Sequence, residues 1–124
     1  MHRSRLHVVL IDSPPESADA ALDFWSAALG QQPTPEEGTP FSVIARLEGG
    51  QIVAHQRLGE GEPRIHLDLE SDDTAAEVAR LENLGATRMS EYDGCIQLQD
   101  PSGLVFCVVP VQSADFDEHA TTWP

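Results

Sequence analysis

The sequence predicts an α+β fold built from two βαβββ modules, and three observations carry this. Each half opens with a strand-like apolar run, continues into a helical stretch and then returns to strand-like runs. Each helical stretch closes on the same pair, Leu29-Gly30 in the first half and Leu84-Gly85 in the second. A polar linker, Gly59-Glu60-Gly61-Glu62-Pro63, falls almost at the middle of the chain. With 124 residues and 13.5 kDa, the two halves fit as modules of one domain.

Taken in order, Leu6 to Ile11 is a β-branched and aliphatic run that reads as a buried strand. Ser13-Pro14-Pro15-Glu16 then predicts a helix start, with Ser13 as the cap and proline tolerated in the first turn. Ala21, Leu22, Trp25, Ala28 and Leu29 form the apolar stripe of that helix, and Gly30 ends it. Gln31 to Pro40 predicts a loop with at most a short edge strand. Phe41 to Leu47 and Gln51 to Leu58 flank Glu48-Gly49-Gly50 as a hairpin.

In the second half, Arg64 to Glu70 alternates apolar and polar residues as a half-buried strand does. Ser71-Asp72-Asp73 supplies capping oxygens to a helix marked by Val78, Leu81 and Leu84. Strands are predicted at Thr87–Glu91, Cys95–Gln99 and Leu104–Val109, separated by turns at Asp93-Gly94 and Asp100-Pro101-Ser102-Gly103. The boundaries expected are one domain over 1–112, with module one at about 4–58 and module two at about 63–111. Residues 113–124 are expected to form a polar tail that is mobile or rests on a partner surface.

Seven basic against twenty-one acidic side chains give a net charge of −14. That field repels nucleic acid and anionic membrane, so neither is expected as a partner. No apolar run is long enough to span a bilayer, and the first residues lack a signal-peptide core. Two cysteines, Cys95 and Cys107, are too few for a disulfide framework and read as reduced thiols. The expectation is a cytoplasmic domain.

The stretches Ala21-Leu22-Asp23-Phe24-Trp25-Ser26-Ala27-Ala28-Leu29-Gly30, Arg64-Ile65-His66-Leu67-Asp68-Leu69, Ala79 to Ala86, and Asp100-Pro101-Ser102-Gly103 through Val109 resemble one superfamily. It is the vicinal-oxygen-chelate group of glyoxalases, bleomycin-resistance proteins and extradiol dioxygenases, and within it the small bacterial glyoxalase-like domains. The resemblance runs from about Arg5 to Val111. It implies a cupped mixed sheet with a ligand site inside and a homodimer. It also implies, in metal-dependent members, one divalent ion held by residues of the first and last strands of each module. Zinc, nickel, manganese and iron are the candidates.

Carried over residue by residue, the resemblance offers His7, Gln56 and His66 as ligands. His7 precedes Ser13 by six residues as His66 precedes Asp72. Aligning Ser13 with Ser71 instead pairs His66 with Val8, and a one-residue slip reverses the face. At the fourth ligand position metal-dependent glyoxalases carry glutamate, four residues after the glycine of the Asp-Pro-x-Gly turn, and here Cys107 stands there. The ligand pocket expected comprises Trp25, Gln56, His66, Asp68 and Cys107, with Asp68 able to orient the His66 imidazole.

Three readings follow. A small organic molecule is bound in the cup without catalysis. Alternatively, a metal-dependent lyase, isomerase or dioxygenase works with a reduced ligand set. In the third, the chain is a regulatory domain whose tail from Ala114 to Pro124 engages a partner.

Overall fold

The computed structural model describes residues 1–124 and contains nine strands and three helices in an α+β arrangement. Each half has the order strand, helix, three strands. The first comprises β1 (His2–Ser13), α1 (Ala18–Leu29), β2 (Thr34–Pro35), β3 (Phe41–Arg46) and β4 (Ile52–Arg57). The second comprises β5 (Arg64–Ser71), α2 (Thr74–Asn83), β6 (Thr87–Tyr92), β7 (Cys95–Gln99) and β8 (Val105–Pro110). After it come α3 (Phe116–His119) and β9 (Thr121–Trp123). No helix is long and apolar enough to cross a membrane.

The chain forms two compact units: Val8–Ile65, and Met1–His7 together with His66–Pro124. In the Val8–Ile65 unit, β4 lies between β3, its antiparallel hairpin partner, and the second half of β1, which it meets in parallel with Leu10 opposite Ala54 and Asp12 opposite Gln56. Val8, Leu10 and Ala54 make its core cluster, with Phe41 and Ile52 against it.

The helix of this unit starts later than its sequence predicts. Ser13 is the last residue of β1, and its hydroxyl meets His55 Nε2 at 2.9 Å instead of capping α1. The cause is Pro14: the residue before a proline is held extended, so the strand continues through Ser13. A turn closed by Ser17 N–H donating to Pro14 O then leads into Ala18. The helix buries Ala18 and Ser26, which leaves Phe24, Trp25 and Leu29 on its exposed side. Gly30 ends it at φ 71°, a left-handed conformation that glycine adopts without strain.

In the second unit, β8 lies between β5, which it meets in parallel, and β7, which it meets antiparallel; β6 follows on β7. Alternation separates two faces. Leu67, Leu69, Phe106, Val108, Ile96 and Leu98 point to the face that packs on Val78 and Leu81 of α2, and Leu98 and Val108 are fully buried there. The Asp73 carboxylate caps α2 by accepting from Ala76 N–H at 3.0 Å, as its sequence predicts. The residues between, His66, Asp68, Glu70, Cys107 and Cys95, belong to the other face.

Residues 113–124 are not a loose tail. Phe116 of α3 is 3 % exposed, β9 pairs antiparallel with the start of β1, and Trp123 Nε1 donates to Ser4 Oγ at 2.9 Å. Arg80 stacks its guanidinium 3.7 Å from the Trp123 ring centre. The segment lacks a periodic apolar pattern because two aromatic anchors and a set of polar clasps hold it.

Candidate functional site on the polar face of the second module

Three of the side chains singled out by sequence converge here. His66, Asp68 and Cys107 present their donor atoms within 4.8 Å of one another. Two features of local structure bring this about. His66 and Asp68 are two apart on β5 and share a face. The parallel register sets Asp68 directly opposite Cys107 on β8. His66 Nε2 stands 3.5 Å from Asp68 Oδ1. That oxygen is shielded from solvent and has no hydrogen-bond partner. A buried acceptor left unmade costs free energy, about 1–3 kcal/mol for a neutral group and more for a charged one, so this atom is poised for a donor or a cation.

Cys95 sits beside the trio. Gln97 is the register partner of Cys107, and Cys95 is two residues before it on the same face. The Cys95 thiol is hydrogen-bonded to Cys107, which lowers its pKa below the usual thiol value against the opposing effect of burial.

The next carboxylate on β5 is already engaged. Glu70 is fully buried and accepts from Gln112 N–H at 2.8 Å, Ser113 N–H at 3.0 Å, Ser113 Oγ at 2.5 Å and Arg5 Nε at 2.8 Å. Arg5 also donates to Ser113 Oγ at 2.8 Å and Asp115 Oδ1 at 3.0 Å. Burial alone would raise the Glu70 pKa, but these donors outweigh it and hold the group at about 2. A carboxylate so fully satisfied and so acidic makes a poor general base. Its work is to clasp the C-terminal segment.

His7 lies near Glu70, with Nδ1 4.0 Å from Oε2. Burial is the main reason that its pKa is lowered, opposed by the Glu70 charge. Its ring stands outside the converging trio. Counting back five residues from the strand ends Ser13 and Ser71 reaches Val8 on β1 and His66 on β5, so the alternative pairing weighed from sequence describes the strands better. Gln56 and Trp25 belong to the Val8–Ile65 unit. Gln56 is half-buried on β4 opposite Asp12. Trp25 lines a cavity of about 390 Å³ with Ile11, Ser13, Ala21, Arg64 and Ile65. His55, next to Gln56, is buried against Ser13, and burial lowers its pKa.

The sequence profile of the glyoxalase-like domain matches residues 8–109. The chain belongs to that family. No curated protein matches it in sequence. Among solved structures, this glyoxalase-like domain is similar to the Mn(II)-bound glyoxalase of Novosphingobium aromaticivorans. The two are 22 % identical with a TM-score of 0.63, over 91 % of this chain and 41 % of that one. The domain thus spans about two fifths of that glyoxalase. It is also similar to methylmalonyl-CoA epimerase (14 % identity, TM-score 0.57, 86 % of this chain and 94 % of that one). A third likeness is to the NAD-dependent benzaldehyde dehydrogenase structure from Legionella pneumophila (11 % identity, TM-score 0.62, 85 % and 98 %). At these identities the likeness establishes the fold.

Members of the superfamily that use a metal hold a divalent ion, and the glyoxalase-like domain has donors that fit one. The fit rests on the converging nitrogen, oxygen and sulfur atoms and on the unbonded Asp68 oxygen. Two of the site's residues gave little sign of their roles in the sequence. Cys95 and Glu70 stand at ordinary strand positions, and only the alternation of Cys95-Ile96-Gln97 and of His66-Leu67-Asp68-Leu69-Glu70 assigned their faces. What pairs Cys95 with Cys107 is cross-strand register, which no local pattern encodes.

Proposed function

We propose that this glyoxalase-like domain binds a small organic molecule on the polar face of its second module, anchored by His66, Asp68 and Cys107. The observation that carries the reading is the shielded Asp68 oxygen, which makes no hydrogen bond and lies 3.5 Å from the His66 imidazole. An acceptor in that state is satisfied by a ligand that brings an N–H or O–H donor. The strongly negative chain favours a neutral or cationic ligand over an anionic one. His66 would orient the molecule through its imidazole, and Asp68 would take up the donor. The apolar side chains on the reverse face hold the strands that carry them.

A second reading, a metal-dependent lyase, isomerase or dioxygenase, is favoured by the same convergence. His66, Asp68 and Cys107 would hold the ion, which when bound would polarise a ligand oxygen as a Lewis acid. The chain supplies no glutamate at the position of Cys107, and Glu70 is too acidic and too well bonded to replace it as base. Binding without turnover therefore stands ahead of isomerisation. A homodimer and a cytoplasmic location are part of the proposal. The first is supported by apolar side chains left exposed on α1, Phe24 and Leu29 among them.

The test is a thermal-shift screen of neutral and cationic small molecules that carry hydrogen-bond donors. Hits are expected to raise the melting temperature of the wild-type chain and to lose that effect in His66→Ala and Asp68→Asn. Hits that stabilise both variants as well as the wild type would contradict the assignment.

A further inference from the structure

We infer that the cavity between α1 and the end of β1 is a second binding site, one for a flat aromatic acid. The rings of the ligand would lie against Trp25 and its carboxylate would pair with Arg64. Every residue that lines this cavity belongs to the Val8–Ile65 unit, whereas His66, Asp68 and Cys107 belong to the other. The site therefore stands or falls independently of the organic ligand and the ion considered above.

The space has a cause in the sequence. α1 begins only at Ala18, after the turn closed on Pro14, and the two residues it buries, Ala18 and Ser26, are small. Ala21 lines the cavity and is too short to fill it, and Trp25, one turn on, stands exposed at its wall. Phe24 meets the Trp25 ring at 88° with centroids 5.2 Å apart, a contact that restrains the indole. Ile11 and Ile65 complete a largely apolar lining around about 390 Å³, a volume within the range of small-molecule sites.

The cavity also holds a positioned cation. Arg64 lines it with a half-exposed side chain, and its Nε donates to Asp12 Oδ2 at 3.2 Å. Asp12 is fully buried, so it anchors one edge of the guanidinium and leaves the two terminal nitrogens for a ligand. Their spacing matches the two oxygens of a carboxylate. The Ser13 hydroxyl on the same wall is already engaged by His55 Nε2 at 2.9 Å, which leaves Arg64 as the polar anchor. The net charge of −14 opposes an anion at long range. Salt screens that field over about 8–10 Å, whereas Arg64 acts at hydrogen-bond distance. The local cation therefore decides the sign of the ligand, and a cationic ligand of the same shape would meet repulsion.

The test is NMR titration of the ¹⁵N-labelled chain with naphthoate, naphthalenemethanol and naphthylmethylamine, three probes that share a ring system and differ in the charge of the head. Naphthoate should shift the Trp25 indole N–H and the amides of Ile11, Ala21 and Ile65, and saturate at one molecule per chain. The alcohol should bind about tenfold more weakly for want of a charge-assisted pair, and the amine more weakly still. Arg64→Gln should bring naphthoate down to the level of the alcohol and leave the alcohol unchanged. Ala21→Leu, which fills the cavity, should abolish binding of all three. Asp68→Asn should leave the titration as it is in the wild type, which separates this site from the polar face of the second module. Circular dichroism would verify that each variant is folded, and the comparison of the three probes in the wild type needs no variant. Four results would overturn the inference. These are no shifts with naphthoate, shifts outside the cavity, an alcohol or amine that binds as tightly as the acid, and undiminished binding in folded Arg64→Gln or Ala21→Leu.

Discussion

Asp68 on β5 and Cys107 on β8 are register partners across a parallel pair of strands. This pairing sets a carboxylate against a thiol on the face of the module that points away from α2. His66, two residues before Asp68, completes the group. The opposite face is filled by Leu67, Leu69, Phe106 and Val108 and fixes the register. A one-residue slip would exchange the two faces and bury the polar set against α2, at a prohibitive cost.

The Glu70 clasp predicts acid sensitivity with a definite sign. Its folded pKa, about 2, lies below the ordinary carboxylate value of 4.5. Its contribution is therefore present in full above that ordinary value and is lost as pH falls through the interval down to about 2. Denaturant melts between pH 2 and 6 should show stability declining over this window, and in Glu70→Gln that slope should be reduced. The variant should also be less stable at pH 7 by about 1–3 kcal/mol, because Arg5 would keep Asp115 but lose its charged bond to Glu70.

The C-terminal segment is expected to contribute to stability within its own unit. Phe116→Ala should cost about 3–5 kcal/mol, as loss of a fully buried aromatic does. Removing residues 113–124 should lower the melting temperature sharply, since it uncovers Glu70 and strips Arg5 of two partners. Thermal melts of both variants check this. A truncated chain as stable as the full one would contradict the docking described.

The buried histidines predict titration below the usual range. Burial lowers the pKa of both His7 and His55, so each is neutral at pH 7. Their folded pKa values lie below the unfolded value, and stability therefore falls as pH drops below about 6.5 and these sites resist protonation. Ring-proton NMR through a pH series should give midpoints below 6.5 for both residues, and a midpoint above that value for either would be the contrary result.

Much of the fold was legible in the sequence because its signals are local. The repeated Leu-Gly helix ends, the Glu48-Gly49-Gly50 hairpin and the alternation in Arg64–Glu70 each specify an element from a few neighbouring residues. The capping pattern at Ser13 predicts a helix start ahead of the observed Ala18, because Pro14 holds Ser13 extended. The apolar stripe through Trp25 and Leu29 marks the helix but not its buried side, since α1 buries Ala18 and Ser26. The C-terminal segment was opaque because Phe116 and Trp123 are anchored by distant partners. For the site, His66, Asp68 and Cys107 were each visible as single residues, and their convergence came from strand register. Glu70 and Cys95 had no pattern that set them apart.

Asp73 gives a simple check on the module as described. Its carboxylate is the side-chain cap of α2, so Asp73→Ala should cost about 1 kcal/mol in denaturant melts. No change at all would argue against the capping geometry.

The account rests on the polar face of the second module being the binding surface. The measurement that tests this most directly is amide NMR of the ¹⁵N-labelled chain with hits from the small-molecule screen. The expected result is shifts concentrated in residues 64–71, 95–99 and 105–110, absent from the His66→Ala spectrum. Shifts confined to the cavity around Trp25, or unchanged in His66→Ala, would contradict it.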